Sequence, residues 1–293
     1  MKRTCVIIRG LVRTWDSAKF SIFESLKFLT NPYFIFATWD ESYFGQFNNV
    51  TGTVELDDKH FHYHIDESVS EKIRNDFSDK NLIDLVVFDK SSLNAFDIKR
   101  KAYSEESQYS AFLRYYANLV KRKFEIENFT FDEVIEIRPD CFILPIDDPI
   151  LVNRSFIDDY VVYTCGELGI KNSVLRPLVP EFKEMQFQMP FIDDNIFICN
   201  SFTHDILSQQ FLYYCEQYEN VSPKMLNGHS LVSTFCQCRN LIIQNRVPEY
   251  FAGYTILRKA DNPYTKVLTQ QSRDIIEAEN LKFVQNIRMN VNT

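Results

Sequence analysis

The stretch TCVIIRGLVRTWDSAKFSIFESLKFLTNPYFIFATWDE, residues 4–41, reads as one β-α-β unit. TCVIIRG (4–10) is a short buried strand with four apolar residues, closed by Arg9-Gly10. Apolar residues at 18, 22, 23, 26 and 29 recur at helical spacing over 14–29, with Thr14 or Asp16 placed to cap the helix. Asn31-Pro32 breaks that helix, and YFIFATWDE (33–41) follows as a second buried strand ending in Asp40-Glu41. Two strands joined through a helix pair in parallel, and such sheets take their ligands at the carboxyl ends of the strands.

The pattern continues along the chain. LIDLVVF (82–88), FDEVIEI (131–137), YVVYTC (160–165), NIFICN (195–200) and GYTILR (253–258) read as strands. The clearest helix spans 104–123, where Tyr109, Phe112, Leu113, Tyr116 and Val120 form an apolar stripe; Glu105 and Glu106 fall in its first turn and Lys121, Arg122 and Lys123 in its last. Further helices are expected over about 203–219 and 223–240. Residues 45–80 are mixed and polar, with strand-like alternation only in KHFHYHID (59–66). The expected fold is α/β, a Rossmann-type, mostly parallel sheet flanked by helices.

Composition narrows the function. A chain of 293 residues with 45% hydrophobic and 25% charged residues is ordinary globular material. A net charge of −8 without long like-charged runs disfavours nucleic acid as a partner. No apolar run reaches the ~18 residues of a membrane span or forms a signal-peptide core, so the expected location is cytoplasmic, with no transmembrane segment. Seven cysteines, an odd number mostly inside apolar runs, read as reduced buried thiols. Cys236 and Cys238 are one residue apart on an expected helix, which points them to different faces and argues against a shared metal.

Polar residues gather at three strand ends: Arg9, Gly10 and Arg13 after the first strand, Asp40 after the second, and Arg138-Pro139-Asp140 within FDEVIEIRPDCFILPIDD (131–148). A nucleoside diphosphate suits that set. The arginines neutralise phosphate, Asp40 accepts from a base N–H or a ribose hydroxyl, and Asp140 holds a divalent cation, Mn²⁺ or Mg²⁺, unless it only pairs with Arg138. Pro139 stops the ladder and aims Asp140 outward. Neither GxGxxG nor GxxxxGK[ST] follows a strand, which disfavours dinucleotide dehydrogenases and P-loop NTPases.

IIRGLVRTW (7–15), IFATWDE (35–41), YSEESQYSAFLRYYANLV (103–120), FDEVIEIRPDCFI (131–143) and DDNIFICNS (193–201) occur in that order. The order resembles glycosyltransferases of the lipopolysaccharide-synthesis (WavE-like) type and their relatives in bacteria and large DNA viruses, GT-A-like enzymes that use nucleotide sugars. The resemblance implies one GT-A-like catalytic domain over 1–260, with a nucleotide-sugar half over about 1–145, an acceptor half over about 146–260, and an extension over 261–293. It implies a UDP- or GDP-sugar donor and a glycan acceptor. It makes Asp140 the metal ligand, places Arg9, Gly10, Arg13, Asp40, Ser110 and Arg138 around the donor, and leaves His229 as a further metal or phosphate contact unless it is a capping or surface residue. Direct attack by an acceptor hydroxyl needs a base. Asp194, with its neighbour Asp193, stands where the resemblance puts that carboxylate. A non-catalytic binding module of the same fold, or a nucleotidyltransferase, is the competing reading.

Overall fold

A computed structural model describes residues 2–12, 15–43, 46–48, 53–55, 62–89, 105–144, 157–164, 169–175, 185–191, 195–217, 228–245 and 253–256. In chain order the strands are β1 (Thr4–Arg9), β2 (Tyr33–Trp39), β3 (Glu41–Tyr43), β4 (Gln46–Asn48), β5 (Thr53–Glu55), β6 (His62–His64), β7 (Asn81–Phe88), β8 (Glu133–Ile137), β9 (Cys141–Leu144), β10 (Val161–Thr164), β11 (Gly169–Leu175), β12 (Met185–Phe191), β13 (Ile196–Cys199), β14 (Ile242–Asn245) and β15 (Gly253–Ile256). The helices are α1 (Trp15–Ser25), α2 (Glu67–Asp76), α3 (Glu105–Glu127), α4 (Ser201–Ser208), α5 (Gln210–Gln217) and α6 (Gly228–Cys238).

Seven strands form the central sheet in the order β14-β10-β13-β8-β1-β2-β7. β1 is parallel to both β2 and β8, β2 to β7, and β10 to β14, while β13 runs antiparallel to its neighbours β8 and β10. The expected mostly parallel sheet is present, with one reversed strand inside it. From β1 the chain builds outward through β2 and β7, then returns to place β8 on the other side of β1. That reversal makes β1/β8 the topological switch point, the place where open α/β sheets take their ligands at the carboxyl ends of the strands.

Alternation along the strands divides the core between the two faces of the sheet. Val6, Ile8, Phe34, Phe36, Ile135 and Ile137 pack with Trp15, Ala18 and Ile22 of α1 and Ile73 of α2. Cys5, Ile7, Ile35, Ala37 and Val134 pack beneath Ala111, Phe112, Leu113 and Ala117 of α3. Trp15 meets Phe36 edge-on at 4.9 Å and stacks on Phe77 at 5.8 Å, an aromatic lock between α1, the sheet and the end of α2.

Several expectations change in detail. α1 begins at Trp15, so Asp16 lies inside the first turn, paired with Lys19 and Lys72, and is not a cap; Thr14 lies outside the described residues. α2 was not expected: Asp66 caps it by accepting from the Val69 N–H at 3.0 Å. α3 continues to Glu127, which moves Lys121, Arg122 and Lys123 out of its last turn. The helix expected over 203–219 is two, α4 and α5, joined through Gln209. β9 does not continue β8: after the Arg138–Asp140 turn it pairs with β15 and crosses α1, where the Ile143 N–H donates to Ser21 Oγ at 3.0 Å. The 261–293 segment lies outside the described residues. No helix among the described residues is long and apolar enough to cross a membrane.

Candidate active site

The ends of β1 and β8 touch. Ile8 is in register with Ile137, so the two strands run out together. Gly10 adopts φ +139°, and a Cβ there would lie 3.0 Å from Pro139 Cδ. Only glycine fits both the backbone conformation and the proline ring above it. The Gly10 N–H donates to the Ala37 carbonyl at 3.1 Å, tying this turn to β2 as well. The site residues expected at Gly10 and at Arg138-Pro139-Asp140 therefore share one edge of the sheet.

At the β8 end the backbone closes a tight turn, with the Cys141 N–H donating to the Arg138 carbonyl at 3.1 Å. The Arg138 N–H donates to the Asn195 carbonyl at 3.0 Å, which fixes the turn against the start of β13. Inside it, Arg138 Nε donates to Asp140 Oδ1 at 2.8 Å and Nη2 to Oδ2 at 2.7 Å, a two-point fork on the carboxylate. The Asp140 side chain is only 1% exposed and that of Arg138 19%. Asp140 thus points inward, against the outward orientation expected from the sequence: Pro139 shapes the turn so that the carboxylate folds onto the arginine two residues before it.

This geometry bears on the expected divalent cation. Both Asp140 oxygens face a guanidinium, and no group of three or more His, Cys, Asp or Glu able to hold a metal occurs among the described residues. The described donor set does not fit a cation at Asp140.

Beneath the same edge lies a buried polar cluster centred on Glu136. The side chain of Arg9, 2% exposed, is ion-paired through Nε to Glu136, and its Nη1 donates to Ser110 of α3. Arg114 of α3 forks onto Glu136 at 2.8–3.0 Å and donates to Gln210 of α5. His204 of α4 brings Nε2 to 3.2 Å from Glu136 Oε2 and Nδ1 to 2.9 Å from Asn118 Oδ1. Burial raises the Glu136 carboxyl, but the Arg114 and Arg9 charges and the His204 hydrogen bond overcome it and hold the group well below the usual carboxylate range. Burial also pushes the His204 imidazole below its usual value, against the pull of Glu136. With Glu136 held as a carboxylate, Nε2 is the donor in the contact to it, while Nδ1 faces the Asn118 side-chain oxygen.

The chain resembles glycosyltransferases of known structure. The glycosyltransferase GlyE of Streptococcus pneumoniae TIGR4 matches with a TM-score of 0.41 at 11% identity, over 85% of this chain and 46% of that one. The galactosyltransferase LgtC, solved with donor and acceptor sugar analogues, matches with a TM-score of 0.37 at 10% identity, over 78% of this chain and 69% of that one. Mouse xyloside xylosyltransferase 1 matches with a TM-score of 0.42 at 9% identity, over 84% and 85%. The chain thus spans less than half of the GlyE chain. No family model and no curated protein matches the sequence.

The remaining expected residues fall as follows. Asp40 ends β2 beside β1, half-buried, its N–H donating to the Phe88 carbonyl and its carbonyl accepting from Ile65, both at 2.7 Å. Arg13, Asp193 and Asp194 lie outside the described residues. His229 is the second residue of α6. Of the paired cysteines, Cys236 is buried and Cys238 exposed, on different faces as the spacing requires; burial pushes the Cys236 thiol up to about 12. A cleft lined by Phe23, Asn31, Pro32, Asp79 and Lys80 sits at the amino ends of β2 and β7, away from this edge.

Glu136, Arg114 and His204 were not singled out from the sequence. A signal was there: Ser110, Arg114, Asn118, Lys121 and Glu125 recur at spacings of four, four, three and four, a polar stripe on one face of α3 beside the apolar one.

Proposed function

We propose that the protein transfers a sugar from a nucleoside-diphosphate donor, a UDP- or GDP-sugar, to a glycan acceptor. The observation that carries this reading is the meeting of Gly10 and Arg138-Pro139-Asp140 at the carboxyl edge of the β1/β8 switch point. An open α/β sheet binds nucleotides at such a point. The order of the five sequence segments, which resembles nucleotide-sugar glycosyltransferases, supplies the reaction.

In this reading Gly10, seated under the Pro139 ring, brings the ends of β1 and β8 together at the donor edge, and Asp40 at the end of β2 accepts from a ribose hydroxyl or base N–H. Arg9, with Ser110 and Glu136 on its guanidinium, holds the rim of β1 in place from below. The acceptor hydroxyl attacks the anomeric carbon as the bond to the diphosphate oxygen breaks, and its proton passes to a carboxylate, Asp194 or its neighbour Asp193. Asn195, which follows Asp194 in sequence, accepts the Arg138 N–H, so β13 begins against the same turn. Negative charge grows on the departing diphosphate, and a fixed positive group beside it lowers the barrier.

The test is incubation with a panel of UDP- and GDP-sugars and glycan acceptors, with and without Mn²⁺, reading release of nucleoside diphosphate. Release that depends on acceptor supports transfer. Release of pyrophosphate from a nucleoside triphosphate, with none from any nucleotide sugar, overturns the reading in favour of nucleotidyl transfer.

A further inference from the structure

Resting on that reading, we infer that Arg138, locked by Asp140, supplies the positive charge for the donor's diphosphate, and that donor binding is independent of a divalent cation. A carboxylate that coordinates a metal needs lone pairs facing the ion, yet Asp140 turns both oxygens onto Nε and Nη2 of Arg138 at 2.8 and 2.7 Å. A cation entering there would have to displace the guanidinium and then sit beside it, like charge against like charge.

Exposure points the same way. Within the pair it is the arginine that reaches the surface, at 19% side-chain exposure, while the carboxylate is closed off at 1%. A ligand arriving at the carboxyl edge meets the positive partner first. Asp140 engages the guanidinium along its Nε–Nη2 edge. A planar fork of this kind also matches the geometry of phosphate oxygens, which a point-charge ammonium does not.

The turn also holds the group still. Pro139 fixes φ at its centre, the Cys141 N–H closes it onto the Arg138 carbonyl, and the Asn195 carbonyl holds the Arg138 N–H. Gly10 packs against the Pro139 ring, which ties the end of β1 to the same turn. Asp140 is then a positioning residue that acts through Arg138, holding its guanidinium at two points. A charge held in advance needs no reorganisation when the leaving group develops its own.

The experiment is calorimetric titration of the full chain with UDP and with GDP, first in excess EDTA and then with MnCl₂ in place of EDTA. The expected result is binding of at least one of the two in EDTA, with an affinity changed by less than about threefold on adding Mn²⁺. Arg138→Met is expected to weaken that binding by about tenfold or more, Arg138→Lys to restore part of it, and Asp140→Asn to weaken it only a few-fold, as suits a group that orients rather than binds. Binding that appears only with Mn²⁺ overturns the inference and leaves the transferase reading standing; so does an Asp140→Asn protein that loses Mn²⁺-dependent binding while Arg138→Met keeps it. Absence of binding for either diphosphate under both conditions overturns the transferase reading, and this inference with it. The wild-type comparison needs no variant to fold.

Discussion

Glu136 carries the most consequence of any single side chain. It sits in a strand between Ile135 and Ile137, fully buried, yet it receives guanidinium groups from β1 and α3 and an imidazole from α4. A buried carboxylate of this kind adds little net stability over an apolar isostere, but removing it strands the partners that it neutralises. Glu136→Gln is expected to cost roughly 3–5 kcal/mol at neutral pH in urea unfolding. The pH dependence follows from the direction of the shift. Glu136 has a folded pKa below its ordinary value of 4.5, so its contribution is complete above that value and is lost as pH falls toward the folded one. The gap between wild type and Glu136→Gln should therefore narrow on acidification below about pH 4.5. A gap that stays constant to the acid limit contradicts the assignment. The sequence announced this residue weakly, because a glutamate at alternating strand positions reads as a solvent-facing one until α3 is known to cover that face.

At the scale of elements, α3 works as a two-sided beam. One stripe, with Phe112 and Tyr116, was legible as an apolar repeat, and the structure uses it against the sheet. The polar stripe beside it joins α3 to α4 and α5. Lys121 illustrates the difference: read as a dipole-compensating residue in a last turn, it is fully buried, 3.0 Å from Glu125 Oε2 and 3.1 Å from Asp205 Oδ1 of α4, and it donates to Ser201. Charge type alone placed it at a helix end; only the pairing of α3 with α4 places it inside. A double-mutant cycle of Lys121→Ala and Asp205→Ala is expected to return a coupling of about 0.5–3 kcal/mol, and simple additivity would show that these two side chains do not interact. Strands were easier to read than such contacts, since β1, β2, β7 and β13 are apolar runs bounded by breakers. β9 was the exception: its apolar run follows β8 so closely that only the Arg138–Asp140 turn reveals its departure from the central sheet.

At the scale of the whole molecule, strand order places the chemistry. Parallel pairing of β1 with β2 on one side and β8 on the other puts Gly10, Asp40 and Arg138 at one edge, although they are distant in sequence. The polar strand ends were visible beforehand; that Arg9 would turn beneath the edge and Asp140 inward was not, because both depend on partners from other elements. A nucleoside diphosphate at that edge is the central claim. The direct measurement is a crystal structure of the protein grown with UDP or GDP. The account predicts diphosphate density at the carboxyl ends of β1 and β8, with a phosphate oxygen within hydrogen-bonding distance of the Arg138 guanidinium. Nucleotide density at the opposite end of the sheet, in the cleft beside Asn31, Pro32 and Lys80, would contradict it.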